Sequence, residues 1–512
     1  MKFATRYFAV LLSAVCLCGS TVSVASSQEL FRDPDAEAAL ERGQKLLADE
    51  NFSEALNEIN TALQIDPTYD AAYIAKGDAL QGLDEFSAAA AAYTKAIEID
   101  ANSAAAYNGR GECYLELAKA NGQVDLAIND FRNALNLDRN DAKILANLGH
   151  VTVNYMQDPV GGIRLLDESL ARDDQNARAY RDRGLAYAML QDFDNAEADL
   201  SKSAEVEPDN HENFMTLAQV YRLQEEYRQM IDALTRAIAV YKPEGMSDPK
   251  TYIDALLLRA DAWMNVAKDE QDKQARDEAY ENVIADANSV LDEYDDRYPQ
   301  SGIAYYRRGI AQRMRGEYGK AIDSLTLAIQ SVPAGQDASY LVEAFLRRGI
   351  TWFYQGSIEL ARGDFEQAAA TGNGFRDPRI YLWLGYTYFK DDDLRTAIDY
   401  YGEAIAKDPD FALAHVNRGL AYMQLGEHRK ALSSFSDAIR VEPSVGEHYY
   451  RAGKAYMAME EFQKAADMFS LAALKDSENA KYRKAGADAL RAMGKDGLGA
   501  QWEREAEQLP TE

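Results

Sequence analysis

Residues 36–67 read AEAALERGQKLLADENFSEALNEINTALQIDP, and residues 70–101 read DAAYIAKGDALQGLDEFSAAAAAYTKAIEIDA. At an offset of 34, Ala39, Arg42, Gly43, Leu46, Ala55, Ile59 and Ala62 meet Tyr73, Lys76, Gly77, Leu80, Ala89, Tyr93 and Ala96, and only Pro67 loses its counterpart, to Ala101. A fixed period of this length marks stacked supersecondary units, so the repeat is the unit of folding. Counting Ala36 as position 1, each copy carries two blocks with apolar residues at helical spacing and a polar turn between them. The small residues at positions 8 and 20 let the two helices approach closely. Tyr or Leu at positions 4, 11 and 24 fills the space left, as at Tyr381, Tyr388 and Tyr401. Pro at position 32 stops the second helix.

The frame continues with a small eighth residue at Gly43, Gly77, Gly111, Gly149, Gly184, Ala218, Ala260, Gly309, Gly349, Gly385, Gly419 and Gly453. The best copies end in Pro67, Pro208, Pro333, Pro409 and Pro443. This pattern resembles the tetratricopeptide repeat (TPR) family over nearly all of Ala36 to Ser477. The resemblance implies an all-α, right-handed superhelical solenoid of about twelve TPR hairpins. A C-terminal pair of capping helices, Asn479 to Met493 and Gly499 to Leu509, is expected to close it, with Trp502 turned inward.

Departures from the period divide the chain. Repeats 1–6 occupy residues 36–241, an irregular and elongated repeat 7 occupies 242–301, repeats 8–12 occupy 302–477, and the cap occupies 478–512. Repeat 7 contains the Pro243 to Pro249 stretch, the charged run Lys268 to Asp277 and the segment Asp292 to Ser301. It reads either as a hinge or as a simple extension of its helices. Smaller insertions fall at Ala118 to Val124 and Ser331 to Ser339, and Gly161-Gly162 weakens the start of the second helix of repeat 4.

Residues 1–25 stand apart. Lys2 and Arg6 precede an apolar run from Tyr7 to Cys18, and Ser23-Val24-Ala25 completes the pattern of a secretory signal peptide cleaved after Ala25. The protein is therefore expected to be exported, to the periplasm or outside the cell. An uncleaved anchor and acylation of Cys16 are the alternatives. No later segment is apolar enough to span a bilayer. Cys16 and Cys18 lie in the leader, so Cys113 is the only thiol left and no internal disulfide can form.

Acidic residues number 84 against 55 basic ones, for a net charge of −29. Such a surface repels phosphate backbones, so nucleic-acid binding is not expected. His150, His211, His415, His428 and His448 form no metal-binding spacing, and His415 and His428 fall on packing positions. Gly316-Glu317-Tyr318-Gly319-Lys320 superficially resembles a phosphate loop, but Ala321 stands where Ser or Thr would hold magnesium, and the segment sits in a turn between helices. Asp391-Asp392-Asp393 occupies the equivalent turn and lacks the alternating ligands of a calcium loop. The repeats leave no segment for a catalytic domain, so no enzymatic activity, cofactor, metal or small-molecule substrate is expected.

The resemblance also implies that first helices line the concave surface and that positions 5, 9 and 12 face into it. In the first six repeats this stripe is mixed, half of its eighteen residues being polar. In repeats 8–12 it runs Tyr306, Ile310, Arg313; Leu346, Ile350, Phe353; Leu382, Tyr386, Phe389; Val416, Leu420, Met423; Tyr450, Lys454, Met457. Only Arg313 and Lys454 break its apolar character, too few and too far apart for a carboxylate clamp. One reading is an apolar channel for a partner helix or peptide, anchored by Phe353, Tyr386 and Phe389. The other is packing between neighbouring first helices. The expected function is a non-catalytic scaffold or adaptor binding a protein partner. A holder of unfolded or translocating chains is the alternative.

Overall fold

The computed structural model describes residues 32–122, 124–241, 249–293, 300–332 and 340–509. The leader, Cys16, and most of the proline-bearing part of repeat 7 lie outside the described residues, as does nearly all of the Ser331 to Ser339 insertion. Twenty-six α-helices, and no strand, occur among the described residues.

Contacts divide the chain into two units. The first comprises Met1–Glu226 with Ala239–Tyr241, and the second Tyr227–Ile238 with Lys242–Glu512. The division falls ahead of the elongated repeat. The first unit holds α1 (Pro34–Ala48), α2 (Phe52–Ile65), α3 (Asp70–Gly82), α4 (Phe86–Ile99), α5 (Ala104–Asn121) and α6 (Asp125–Leu137). It continues with α7 (Ala142–Asn154), α8 (Pro159–Leu170), α9 (Ala177–Met189), α10 (Phe193–Val206) and α11 (His211–Leu223). Helix α12 (Tyr227–Val240) belongs mostly to the second unit.

Next in that unit come α13 (Lys250–Asp269), α14 (Lys273–Glu293), α15 (Gln300–Met314), α16 (Tyr318–Gln330), α17 (Leu341–Gln355) and α18 (Ile358–Ala370). It ends with α19 (Pro378–Lys390), α20 (Leu394–Lys407), α21 (Ala412–Gln424), α22 (His428–Val441), α23 (Gly446–Ala458), α24 (Phe462–Lys475), α25 (Ala480–Ala492) and α26 (Asp496–Glu507). Within each unit the helices pair as antiparallel hairpins in chain order, and each hairpin stacks on the next. One hairpin cannot bury its own apolar face, and stacking supplies the missing partner, which is the solenoid principle.

The eighth position works as the sequence implies. A Cβ on Gly349 would lie 2.6 Å from the ring of the fully buried Phe365, and one on Gly453 would lie 2.5 Å from Phe469. Leu200 and Leu325 fill the same place opposite Gly184 and Gly309. The last pair follows the rule too: Gly486 of α25 abuts the ring of Trp502 on α26.

Turn chemistry fixes the hairpins. Position 15 adopts positive φ, carried by Gly316, Gly356 and Gly426 in some copies and by Glu50, Asp84, Gln191, Glu225, Asp392 and Glu460 in others. Left-handed backbone costs a non-glycine residue about 1–2 kcal/mol. Glu460, at φ 59°, is exposed. Glu460→Gly is therefore expected to raise stability by about 0.5–1 kcal/mol, read as a later urea midpoint with an unchanged slope. The acidic triplet divides its work: Asp391 pairs with Arg362, Asp392 takes the left-handed turn, and Asp393 accepts from the Thr396 amide to cap α20. Asp158 caps α8 in the same way, with Pro159 at its first turn, so the helix runs through Gly161-Gly162.

A further tie lay unread in the sequence. In four repeats Arg at position 7 forms a two-pronged ion pair with an Asp on the second helix of its own hairpin, while Arg308 and Arg418 at the same position reach Ser324 and Ser434. Arg183 reaches Asp199 at 2.7 and 2.7 Å, Arg348 reaches Asp364 at 2.8 and 2.7 Å, and both pairs are 16 residues apart. Arg110–Asp130 (2.7 and 2.8 Å) and Arg259–Asp286 (3.1 and 2.6 Å) make the same contact across 20 and 27 residues. The surplus lies between the paired side chains, in long helices: α5 has 18 residues, α13 has 20 and α14 has 21. The charged run Lys268 to Asp277 contains no Pro or Gly and extends α13 and α14 instead of forming a long loop. Cys113 is wholly buried, and burial, followed by the nearby Glu112 carboxylate, pushes its thiol up to about 12.

Candidate partner-binding groove

The stripe at positions 5, 9 and 12 behaves differently in the two units. In the first, its polar groups satisfy one another along successive first helices. Glu112 accepts from Asn108, Asn147, Gln81 and Lys143, the Asn147 bond being 2.7 Å. His150 Nδ1 lies 2.9 Å from Asp182, whose carboxyl is held below its ordinary range by His150 and the nearby Arg178 and Arg181, against the opposing effect of burial. Arg181 in turn pairs with Glu212 at 2.9 Å. These contacts tie neighbouring hairpins together, while Gln44, Gln219 and Arg222 of the same stripe are exposed.

In the second unit the apolar stripe splits. Ile310, Leu346, Ile350, Leu382 and Val416 are buried, so they pack between first helices. Tyr306, Phe353, Tyr386, Phe389, Leu420, Met423, Tyr450 and Met457 are half-buried. Tyr306 lies 5.8 Å from Tyr340, and burial pushes its phenol up to about 12. Tyr450 packs against Phe469 and Tyr482 at 5.7 and 5.4 Å.

A cavity of about 630 Å³ opens along α17, α19 and the start of α21. It gathers Leu346, Ile350, Phe353, Leu382 and Tyr386 from the stripe. Phe389, Val416, Leu420, Met423, Tyr450 and Met457 do not line it, nor do Tyr306 and Ile310. Its floor is an aromatic cluster. Trp383 lies 5.3 Å from Phe353, 5.2 Å from Tyr386 and 6.2 Å from Tyr354, and it stacks on the buried Phe365 at 5.9 Å. Asn417 donates to the Tyr386 hydroxyl at 2.9 Å and fixes the ring's outer edge.

Arg313, at stripe position 12, lines the cavity too, and the remaining lining, which includes Phe411 just ahead of α21, was missed in the sequence. Arg347 and Trp383 sit at position 6, Tyr354 and Lys390 at position 13, and Arg379 and Leu413 at position 2. With position 9 these form a run of i, i+4, i+7, i+11, one helical face adjoining the stripe that was followed. Tyr354 is 58% exposed and Leu413 46%, so the groove presents large apolar side chains to solvent. Isolated exposed apolar residues are ordinary, whereas a concave cluster of them is uncommon on a folded chain.

Cations surround this floor. Arg347 pairs with Glu343 at 2.5 Å, and Arg379 with Glu343 and Asp377 at 2.8 and 2.6 Å. Arg313, also lining the cavity, has no carboxylate within ion-pair distance among the described residues, its guanidinium lying 3.2 Å from the Met314 sulfur. Burial, then repulsion from Arg347, draws its pKa below the ordinary arginine range. Among the described residues no three His, Cys, Asp or Glu side chains gather to hold a metal, and no helix is long and apolar enough to cross a membrane.

Family models find the same repeat in the sequence. One family model described as tetratricopeptide repeat matches residues 155–211, 273–339 and 382–446, and a second with the same description matches 70–103. The human protein named tetratricopeptide repeat protein 36 is 31% identical over 88 residues, which are 17% of this chain and 46% of that protein. The chain thus spans about half the length of that relative. Among solved structures, MamA is 27% identical over 34% of this chain and 97% of its own, with a TM-score of 0.30. A chain of the APC/C hetero-tetramer Cut9-Hcn1 is 14% identical, covering 95% of this chain and 96% of that one, with a TM-score of 0.35. On its recurring hairpins and on the segments that the family models match, this chain is a tetratricopeptide repeat protein.

Proposed function

We propose that the protein is a non-catalytic scaffold or adaptor, exported through its N-terminal leader, that binds a segment of a partner protein in the groove of α17, α19 and α21. The observation that carries this reading is the solvent-open aromatic floor around Trp383, with Tyr354 and Leu413 exposed at its edge. Folded chains seldom leave such a cluster uncovered without a partner for it. Buried aromatic anchors ringed by polar groups are the usual composition of binding hot spots. The leader pattern Lys2 to Ala25 supports export.

The test uses a partner isolated with the wild-type chain. Tyr354→Asp combined with Leu413→Asp places two carboxylates on exposed positions and leaves the packed interior untouched. Affinity measured calorimetrically is expected to fall at least about tenfold, a loss of about 1.4 kcal/mol or more, with an unchanged melting profile. Equal affinity for the doubly substituted chain would remove the groove from consideration. Binding of many unrelated unfolded chains, in place of one saturable partner, would favour a holder over a scaffold.

A further inference from the structure

Acidic residues outnumber basic ones by 84 to 55 in this chain, yet the groove wall reverses that balance. Its lining contains Arg313, Arg347, Arg379 and Lys390 and no Asp or Glu. Two of these cations, Arg313 and Lys390, have no carboxylate within ion-pair distance among the described residues. Elsewhere four partly buried arginines, Arg110, Arg183, Arg259 and Arg348, each meet an Asp through two prongs, whereas Arg308 donates instead to the Ser324 and Asn288 side chains. Leaving a guanidinium partly desolvated and unpaired is unfavourable in the free protein, and an anion arriving in the groove relieves it. Arg313 and Arg347 also repel each other, and one carboxylate set between them would offset that repulsion.

We infer that the groove's occupant is an acidic segment of a partner protein, in which Asp or Glu flanks a bulky apolar side chain. The apolar side chain lies on Trp383, Phe353 and Tyr386, and the carboxylates meet Arg313 and Lys390. This rests on the reading of the groove as a protein-binding site. It runs against the field of the whole molecule, because a chain of net charge −29 attracts basic segments in general. A local preference for acidic ones must therefore come from the groove wall.

The experiment uses the full chain and two pools of fluorescent peptides with the same randomised apolar and aromatic cores. One pool is flanked by Asp and Glu, the other by Lys and Arg. Anisotropy titrations are expected to show the acidic pool binding at least about tenfold more tightly, with an affinity that falls as salt rises. Arg313→Glu is expected to abolish that preference, while the fold, followed by circular dichroism, is retained. If the basic pool binds as well or better, and binding is still lost in the Tyr354→Asp, Leu413→Asp chain, the acidic partner is wrong and the groove reading stands. If neither pool's binding responds to that double substitution, the groove reading itself fails. Self-association sensitive to the same substitution, seen by sedimentation, assigns the groove to a second copy and overturns the inference.

Discussion

Phe365→Ala is expected to destabilise the α17–α18 hairpin by about 3–5 kcal/mol, the range for removing a fully buried large aromatic side chain. Phe365 is 0% exposed, fills the space opposite Gly349, and supports Trp383 from beneath. The hole it leaves cannot close from the Gly349 side, where there is no side chain to move in. Hydrogen exchange of α17 to α19 is the suitable reading, since repeat arrays open locally and need not unfold in one step. Faster exchange there, with α23 to α26 unchanged, is the expected result. Phe365→Leu is expected to lose about half as much, because Leu200 and Leu325 already fill the equivalent place opposite Gly184 and Gly309. Phe365→Ala also removes the support beneath Trp383 in the groove floor, so binding is expected to weaken along with local stability.

Asp130→Ala is expected to cost about 2–4 kcal/mol, somewhat less than the loss of a fully buried ion-pair partner because Arg110 keeps some solvent. The Asp130 side chain is 6% exposed and that of Arg110 17%. Removing the carboxylate leaves the guanidinium with one side-chain hydrogen bond among the described residues, to Thr94 at 3.1 Å, and with the Tyr107 and Tyr114 rings 5.5 and 5.8 Å away. Replacing both residues, Arg110→Leu with Asp130→Leu, is expected to recover most of the loss. The chain itself makes this exchange: Leu384 and Tyr400 occupy the two places in the α19–α20 hairpin, and Ala452 and Met468 in the α23–α24 hairpin, within apolar clusters. Urea midpoints of the single and double variants check the prediction. A double variant as unstable as the single one would mean that charge pairing, and not shape, holds that site.

The period of small residues made the fold legible because close helix approach leaves no alternative at position 8. The ion pairs were legible in principle, since Arg recurs one residue before that Gly and an acid follows sixteen residues later. The two copies with insertions, Arg110–Asp130 and Arg259–Asp286, broke that interval and hid the pattern. Repeat 7 as a whole read equally as a hinge or as an extension of its helices; its charged run falls at the ends of α13 and α14, while residues 242–248 and 294–299 lie outside the described residues.

The groove was legible only in part. Stripe positions 5, 9 and 12 ran along the first helices of repeats 8–12, but of that stripe only Arg313, Leu346, Ile350, Phe353, Leu382 and Tyr386 line the cavity. How deeply a side chain is buried depends on how far its helix tilts against the neighbouring one, which a repeat frame does not specify. The cations at positions 2, 6 and 13 interrupt any apolar pattern, although Arg347, Arg379 and Lys390 stand in plain register with Trp383 and Tyr386.

The central claim is that the face of α17, α19 and α21 holds a partner segment. Site-specific photocrosslinking tests it most directly, with a photoreactive phenylalanine analogue at Tyr354, beside the groove, and separately at Leu360. Leu360 lies on α18, is 54% exposed and does not line the cavity. The account predicts that one discrete adduct forms from Tyr354 and none from Leu360, and that Arg313→Glu in the same chain suppresses it. Equal crosslinking from both positions, or an adduct from Leu360 alone, would contradict it.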